Sequence, residues 1–163
     1  MKTKLVKSIM ASLLVACSLV TINAAGTPPI GGAQGGRLQG TWDNQVTIID
    51  CQTGNPITTF QSLIVFNAGG TLTETTAGTA PAMRTAGEGV WRHITDNTYA
   101  FRFKHFRFDA QNVLTGWNII QAEASLDAAG NVYTSSATVE VYNPNGVLVA
   151  TACATSASTR FEF

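Results

Sequence analysis

Two pairs of residues, far apart in the chain, constrain its fold more than any other feature. In an antiparallel pair of strands, the numbers of facing residues add to a constant value. Trp42 and Arg160 add to 202, and Cys51 and Cys153, the last two of the three cysteines, add to 204. This agreement predicts that the first strand pairs with the last, which closes a sheet into a barrel, and that a disulfide joins the two cysteines. The alternative is that the two pairs agree by chance.

Eight strand-like runs, each closed by turn residues, follow one another from residue 38 onward. They are Leu38–Cys51, Ile57–Phe66, Thr71–Thr76, Gly89–Thr95, Thr98–Asp109, Val113–Leu126, Asn131–Tyr142 and Val147–Phe163. The first run alternates most clearly, with apolar residues at even positions, so Trp42 is expected inside. The short connections predict an all-β fold, a single eight-stranded antiparallel up-and-down β-barrel. An interior of this size is either filled by side chains or holds one small ligand.

The opening of the first run is similar to a known motif. Gly40-Thr41-Trp42 resembles the Gly-x-Trp that begins the first strand of lipocalins and their calycin relatives, and Arg160 resembles the basic residue that packs across that tryptophan. The resemblance spans residues 38–163 but is motif-like only at these positions. The loop after the sixth strand, residues 127–130, lacks the second lipocalin motif. The resemblance implies an outlying calycin or a barrel like that of allene oxide cyclases, with Trp42 and Arg160 as a structural plug.

The N-terminal 25 residues read as a signal peptide, with lysines followed by an apolar stretch too short to span a membrane. Cleavage after Ala24 or Ala25 is one route. Cleavage before Cys17, within a lipobox-like Leu14–Cys17, is the other, and it would leave an outer-membrane lipoprotein. Either route predicts an extracytoplasmic protein, periplasmic or secreted, in which a disulfide persists. Residues 26–37 read as a flexible Gly/Pro linker, and residues 38–163 as the barrel domain.

The residue composition limits the classes of partner and cofactor that we expect. Ten basic and ten acidic residues cancel, so nothing in the charge favours nucleic acid, and a membrane partner is expected only if Cys17 carries lipid. Two histidines and a paired set of cysteines leave no set of metal ligands, and no phosphate-binding loop is present. We therefore expect no cofactor and no metal. The sequence does not determine the oligomeric state.

Aromatic residues suggest what the interior contains. The fifth run places Tyr99, Phe101 and Phe103 on one face, and a bulge near His105 would return Phe106 and Phe108 to the same side. The predicted ligand-binding residues share large apolar side chains on these strands. They are Phe60, Trp91, Tyr99, Phe101, Phe103 and Trp117. Each of them could equally be ordinary core.

The last predicted strand carries a row of small residues. If Cys153 faces outward, the inward positions include Ala152, Ala154, Ser156 and Ser158. Such a row either interdigitates with large aromatics or leaves room for a ligand.

Two ionisable residues are the candidates for catalysis. Glu74 shares the parity of Leu72, so it lies either inside the barrel or at its rim in water. Glu74 or His105 could act as an acid–base group, as in cyclases and isomerases. The longest connection, Ala77–Glu88, lies at the end opposite the plug and is either a lid or a surface insertion.

Three functions remain open from the sequence. The first is binding or carrying a small hydrophobic molecule, the second is a cyclase or isomerase, and the third is a structural envelope protein without a ligand. A filled interior would exclude the first two. An open and wholly apolar interior would favour carriage, and an open interior with Glu74 paired to a cation would favour catalysis.

Overall fold

The computed structural model describes residues 33–163. A short 3-10 helix, Ala33–Leu38, leads into eight strands, and a second, Pro81–Met83, interrupts the longest connection. The strands are β1 Gly40–Ile49, β2 Pro56–Phe66, β3 Thr71–Thr76, β4 Gly87–Thr95, β5 Thr98–Phe108, β6 Leu114–Leu126, β7 Val132–Tyr142 and β8 Leu148–Arg160. Each strand pairs with its sequence neighbours, and β1 pairs with β8, so the sheet closes into an antiparallel up-and-down barrel. The predicted fold class is confirmed.

One unbroken register joins β1 to β8. Trp42 faces Arg160 at one end of this ladder, and Ile49 faces Cys153 at the other. Cys51 lies two residues beyond Ile49, in the turn, and forms the predicted disulfide with Cys153 across a Cα–Cα distance of 5.2 Å. The offset of two between the residue sums arises because Cys51 reaches back from this turn.

The strand boundaries differ from the predicted ones mainly at the first and last strands. Leu38 ends the 3-10 helix and does not begin a strand, and β8 ends at Arg160, before Phe163. Residues 33–37 of the predicted linker form the same helix. The predicted leader, its two cleavage sites including Cys17, and residues 26–32 lie outside the described residues. No helix in residues 33–163 is long and apolar enough to cross a membrane.

The barrel has two unlike ends. We call the end that holds Leu38, Trp42 and Arg160 the closed end; the β2–β3, β4–β5 and β6–β7 connections lie there. The other four connections lie at the open end, with Cys51 in the β1–β2 turn. Large buried side chains crowd the closed end. They are Leu38, Trp42, Phe66, Leu72, Trp91, Tyr99, Leu126 and Tyr133.

The pairing of β5 with β6 corrects one prediction. The register is regular through His105, and it shifts only between Arg107 and Phe108. The predicted position of the bulge, near His105, is therefore wrong: His105 is buried and Phe106 points outward, 41% exposed, whereas Phe108, beyond the shift, faces the interior as expected. The shift occurs beside Gly116, where φ is +130° and an added Cβ would collide with a backbone carbonyl. Only glycine fits this position, so the irregularity lies there and not near His105.

Candidate functional site

The closed end is sealed by Trp42 and Arg160. The Arg160 guanidinium lies 4.3 Å from the centre of the Trp42 ring, and the Trp42 indole N–H donates to the Leu38 carbonyl at 2.9 Å. Arg160 also donates to the carbonyls of Gln39, Arg37 and Gly130. The arginine thus satisfies carbonyls at the entry to β1 and in the β6–β7 turn, in addition to its contact with the indole face.

Gly40 and Arg37 complete this seal. Gly40 has φ of +123°, and an added Cβ would lie 2.8 Å from the Arg160 guanidinium, so both the backbone and the close approach require glycine. Arg37 donates to the Asn97 side chain at 2.7 Å and to the Asp127 and Ala128 carbonyls. The 3-10 helix is therefore tied to two of the three connections at the closed end.

Aromatic rings fill the volume behind the seal. Trp42 meets Tyr133 edge-on with centroids 4.8 Å apart, and Phe66 meets both Trp91 and Phe101 edge-on at 5.8 and 5.4 Å. These separations are typical of well-packed aromatic pairs. Phe101 and Tyr133, on the inner side of this group, border the open part of the interior.

A cavity of about 660 Å³ occupies the remainder of the barrel and opens at the open end. Apolar groups supply most of its surface. The principal apolar lining residues are Val46, Ile48, Phe60, Ile64, Met83, Phe101, Phe103, Phe108, Ile120 and Val139. On β7 and β8 most of the wall is made of small residues, Ser135, Ala137, Ala154 and Ser156, which leaves room opposite the phenylalanines.

The polar groups at the inner end of the cavity are bonded to one another. Tyr133 donates its hydroxyl to Asn44 Oδ1 at 2.7 Å, and Asn44 donates to the Ser62 hydroxyl at 3.3 Å. The hydroxyls of Ser135 and Ser156 are 2.7 Å apart. Burial raises the pKa of Tyr133, so its phenol stays neutral. This network is complete without a ligand.

A second polar group lies near the open end, and we call it the mouth cluster: Glu74, Arg84, His105, Arg107 and Asn118. Arg84 donates to Glu74 Oε2 at 2.5 Å, and both side chains are nearly buried. Arg84 forms an isolated antiparallel bridge with Arg107, and His105 faces Asn118 across β5 and β6. All five residues line the same cavity.

The electrostatics of the mouth cluster follow from burial and from the two arginines. Burial, together with the charges of Arg84 and Arg107, lowers the pKa of His105 to about 4, although a hydrogen bond with the Phe106 backbone partly opposes this shift. His105 is therefore neutral at physiological pH. Burial raises the pKa of Glu74, while the charge and hydrogen bond of Arg84 oppose that rise.

The structure separates the predicted ligand-binding residues into three groups. Phe60, Phe101 and Phe103 line the cavity. Trp91 and Tyr99 are buried in the aromatic core of the closed end. Trp117 lies on the outer face, because inward positions of β6 have even numbers; it stacks on Tyr142 at 5.7 Å and lies under Lys104.

Both acid–base candidates, Glu74 and His105, line the cavity. Glu74 is buried, not at a rim in water, and its partner is Arg84. Sequence reasoning missed Arg84 as a partner because it lies in the long β3–β4 connection, where no alternation indicates a direction. It also missed Asn118, whose even number on β6, shared with the buried Ala122 and Ala124, was a usable signal.

The β3–β4 connection forms one side of the cavity mouth. Gly78, Thr79, Met83 and Arg84 line the cavity, and Gly78 packs so closely on Phe60 that an added Cβ would overlap the ring. Thr85 exchanges two hydrogen bonds with the backbone of Phe106. The connection is thus attached to β5 at its far end.

Within residues 33–163, no group of three or more histidine, cysteine, aspartate or glutamate side chains is placed to hold a metal ion. No family model matches the chain, and no curated protein matches it in sequence.

Proposed function

We propose that this protein binds a small, largely apolar molecule inside the barrel, at its open end. The observation that carries the proposal is the contrast inside one barrel: the closed half is filled by interlocked rings, whereas the other half holds an open cavity of about 660 Å³. That volume lies in the range of small-molecule sites, and a mostly apolar wall with a few polar groups is typical of them. An interior filled throughout would have supported a structural role without a ligand.

The likeness to calycins supports the same proposal, since Gly40, Trp42 and Arg160 take the positions that the resemblance implies. The disulfide supports a place of action outside the cytoplasm, because such bonds persist in oxidising compartments.

Fluorescence titration with phenylnaphthylamine, a neutral probe that brightens in apolar sites, tests the proposal. The wild-type protein should bind the probe, and Val139→Trp, which places an indole in the cavity, should bind it at least about tenfold more weakly, a loss of about 1.4 kcal/mol. Thr138→Trp is the matched control, because Thr138 is the exposed neighbour on the outer face of β7. Equal binding by both variants would show that the probe sits elsewhere. Native mass spectrometry of protein purified without detergent would identify a co-purifying ligand.

Acid–base catalysis is the second candidate, and the pairing of Glu74 with Arg84 in an open interior favours it. Against it, a base whose conjugate acid has a pKa of about 4, as His105 does, accepts protons poorly near neutral pH. Glu74, whose pKa is raised, is the better base. If it acts so, the protein should accelerate exchange of the protons beside the carbonyl of cyclohexenone in heavy water, and Glu74→Gln should abolish the acceleration. Exchange at the buffer rate with wild-type protein would count against this candidate.

A further inference from the structure

The polar atoms at the two ends of the cavity differ in whether they have hydrogen-bond partners. At the inner end, Tyr133, Asn44, Ser62, Ser135 and Ser156 hydrogen-bond to one another. In the mouth cluster, Arg107 Nε and Asn118 Oδ1 are buried and have no hydrogen-bond partner within residues 33–163. Buried polar atoms almost always have a hydrogen-bond partner. Two such atoms without partners, on residues that line one cavity, therefore indicate where a ligand binds.

The distribution of charged side chains also indicates Arg107 as the place where a ligand binds. Two ion pairs exist within the described part of the chain, Arg84 with Glu74 and Arg160 with Glu162, and neither involves Arg107. Asp109 also lines the cavity, but one of its carboxylate oxygens accepts backbone N–H groups from the turn that follows β5. Within the described residues, Glu74 and Asp109 are the carboxylates that line this cavity, and neither forms an ion pair with Arg107. A partly buried cation without a counter-ion is costly.

We propose that the ligand carries one acidic group, and that Arg107 binds this group together with Asn118 near the open end of the cavity. The inference rests on the proposed function and names the chemical class of the ligand: an amphipathic acid with an apolar body.

The geometry of Arg107 suits an acid. One Nη2 hydrogen is used by the Tyr142 carbonyl at 3.3 Å, which anchors the side chain. Nε–H and one Nη2 hydrogen of an arginine lie on the same edge of the planar guanidinium, and this edge binds carboxylates through two parallel hydrogen bonds. Asn118 can rotate its amide so that the nitrogen donates to the same group.

The orientation of the ligand follows from the same contacts. The acidic group lies at the mouth, and the body extends past Phe103 and Phe101 toward the inner end. Because the polar groups there already hydrogen-bond to one another, we expect the far end of the ligand to be apolar. His105 is neutral above about pH 4, so it contributes no competing charge.

Two probes with the same aromatic body separate this inference from the proposed function. Anilinonaphthalene sulfonate differs from phenylnaphthylamine only by its anionic sulfonate. In fluorescence titrations, Arg107→Gln should weaken the sulfonate probe roughly 10- to 100-fold, the range of a charged hydrogen bond, and change the neutral probe less than about threefold. Arg107→Lys, which keeps the charge but loses the planar fork, should restore part of the affinity. Arg102→Gln is the matched control: the same charge change on the outer face of β5 should affect neither probe.

Each other outcome has a definite reading. Equal loss of both probes in Arg107→Gln, or no loss of the sulfonate probe, would overturn the acidic-ligand inference and leave the apolar site standing. Failure of the wild-type protein to bind either probe would overturn the proposed function and the inference with it. A thermal midpoint of Arg107→Gln within a few degrees of wild type would confirm that a changed affinity does not arise from unfolding.

Discussion

The closed and open halves of this barrel are built from the same eight strands, yet they differ in side-chain volume. At the closed end, Trp42, Phe66, Tyr99 and Tyr133 are almost wholly buried and interlock. Beyond them, small residues on β7 and β8 face the phenylalanines of β5, and the interior stays open. The difference teaches that the backbone of an eight-stranded barrel does not decide whether it is packed; the sizes of the inward residues do.

The polar groups of the two halves differ in a parallel way. At the closed end, Arg160 and Arg37 donate to backbone carbonyls, and Arg37 also donates to the Asn97 side chain, which fastens the connections. At the open end, Arg107 Nε and Asn118 Oδ1 lack partners. The paired donors stabilise the fold, whereas the unpaired donor and acceptor lie where we propose that a ligand binds. On this proposal, the groups that stabilise the fold and the groups that bind a ligand lie at opposite ends of the barrel.

The disulfide is expected to give the largest effect, because it fastens the half that lacks a packed core. It links residues 102 apart in sequence, so removing it with C51S/C153S should lower the free energy of unfolding by about 4–5 kcal/mol in the chain-entropy account. Chemical denaturation measures this, and wild-type protein in reducing buffer should give the same value. A loss below about 1 kcal/mol would show that packing alone holds the open half.

Truncating one aromatic in each half compares their packing directly. Trp42→Ala should cost about 3–5 kcal/mol, as for a buried aromatic that leaves a cavity. Phe60→Ala should cost about 1–2 kcal/mol, because Phe60 is half-buried and already borders open space. Both values come from urea unfolding. Equal losses would mean that the two halves are packed alike.

Titration of His105 is expected to give a somewhat smaller effect, confined to the open half. Between pH 6.5 and about 4, the His105 imidazole is protonated in the unfolded protein but stays neutral in the folded protein. The free energy of unfolding therefore falls as the pH falls through this window. The loss amounts to at most about 3 kcal/mol. Glu74, whose pKa is raised, acts in the opposite direction: its folded form holds a proton longer, so its contribution falls as pH rises.

Comparing wild type with His105→Gln isolates the effect of His105, because all other titrating groups contribute equally to the pH dependence of unfolding in both proteins. The difference between their free energies of unfolding should change by roughly 2–3 kcal/mol between pH 7 and 4. Parallel pH profiles would show that the His105 site is open to water.

Much of the fold was predictable because its determinants are local or covalent. The alternation in residues 40–49 places Trp42 inside, and the nearly equal residue-number sums of two pairs predict both the closure of β1 on β8 and the disulfide. The candidate site was predictable only in part. Phe60, Phe101 and Phe103 line the cavity, whereas Trp91 and Tyr99 pack in the closed end and Trp117 faces outward.

The sequence by itself determined the number of strands, their order and the closure of the barrel, since a period of two and short turns leave few other arrangements. Tertiary structure alone decided where the register irregularity of β5 falls and which cation meets Glu74 in the mouth cluster. His105 points inward because the register irregularity falls beside Gly116, and Arg84 meets Glu74 because the β3–β4 connection folds back against β5. Strand periodicity is a property of the local backbone, whereas the position of a bulge and the path of a loop depend on contacts between residues that are distant in sequence.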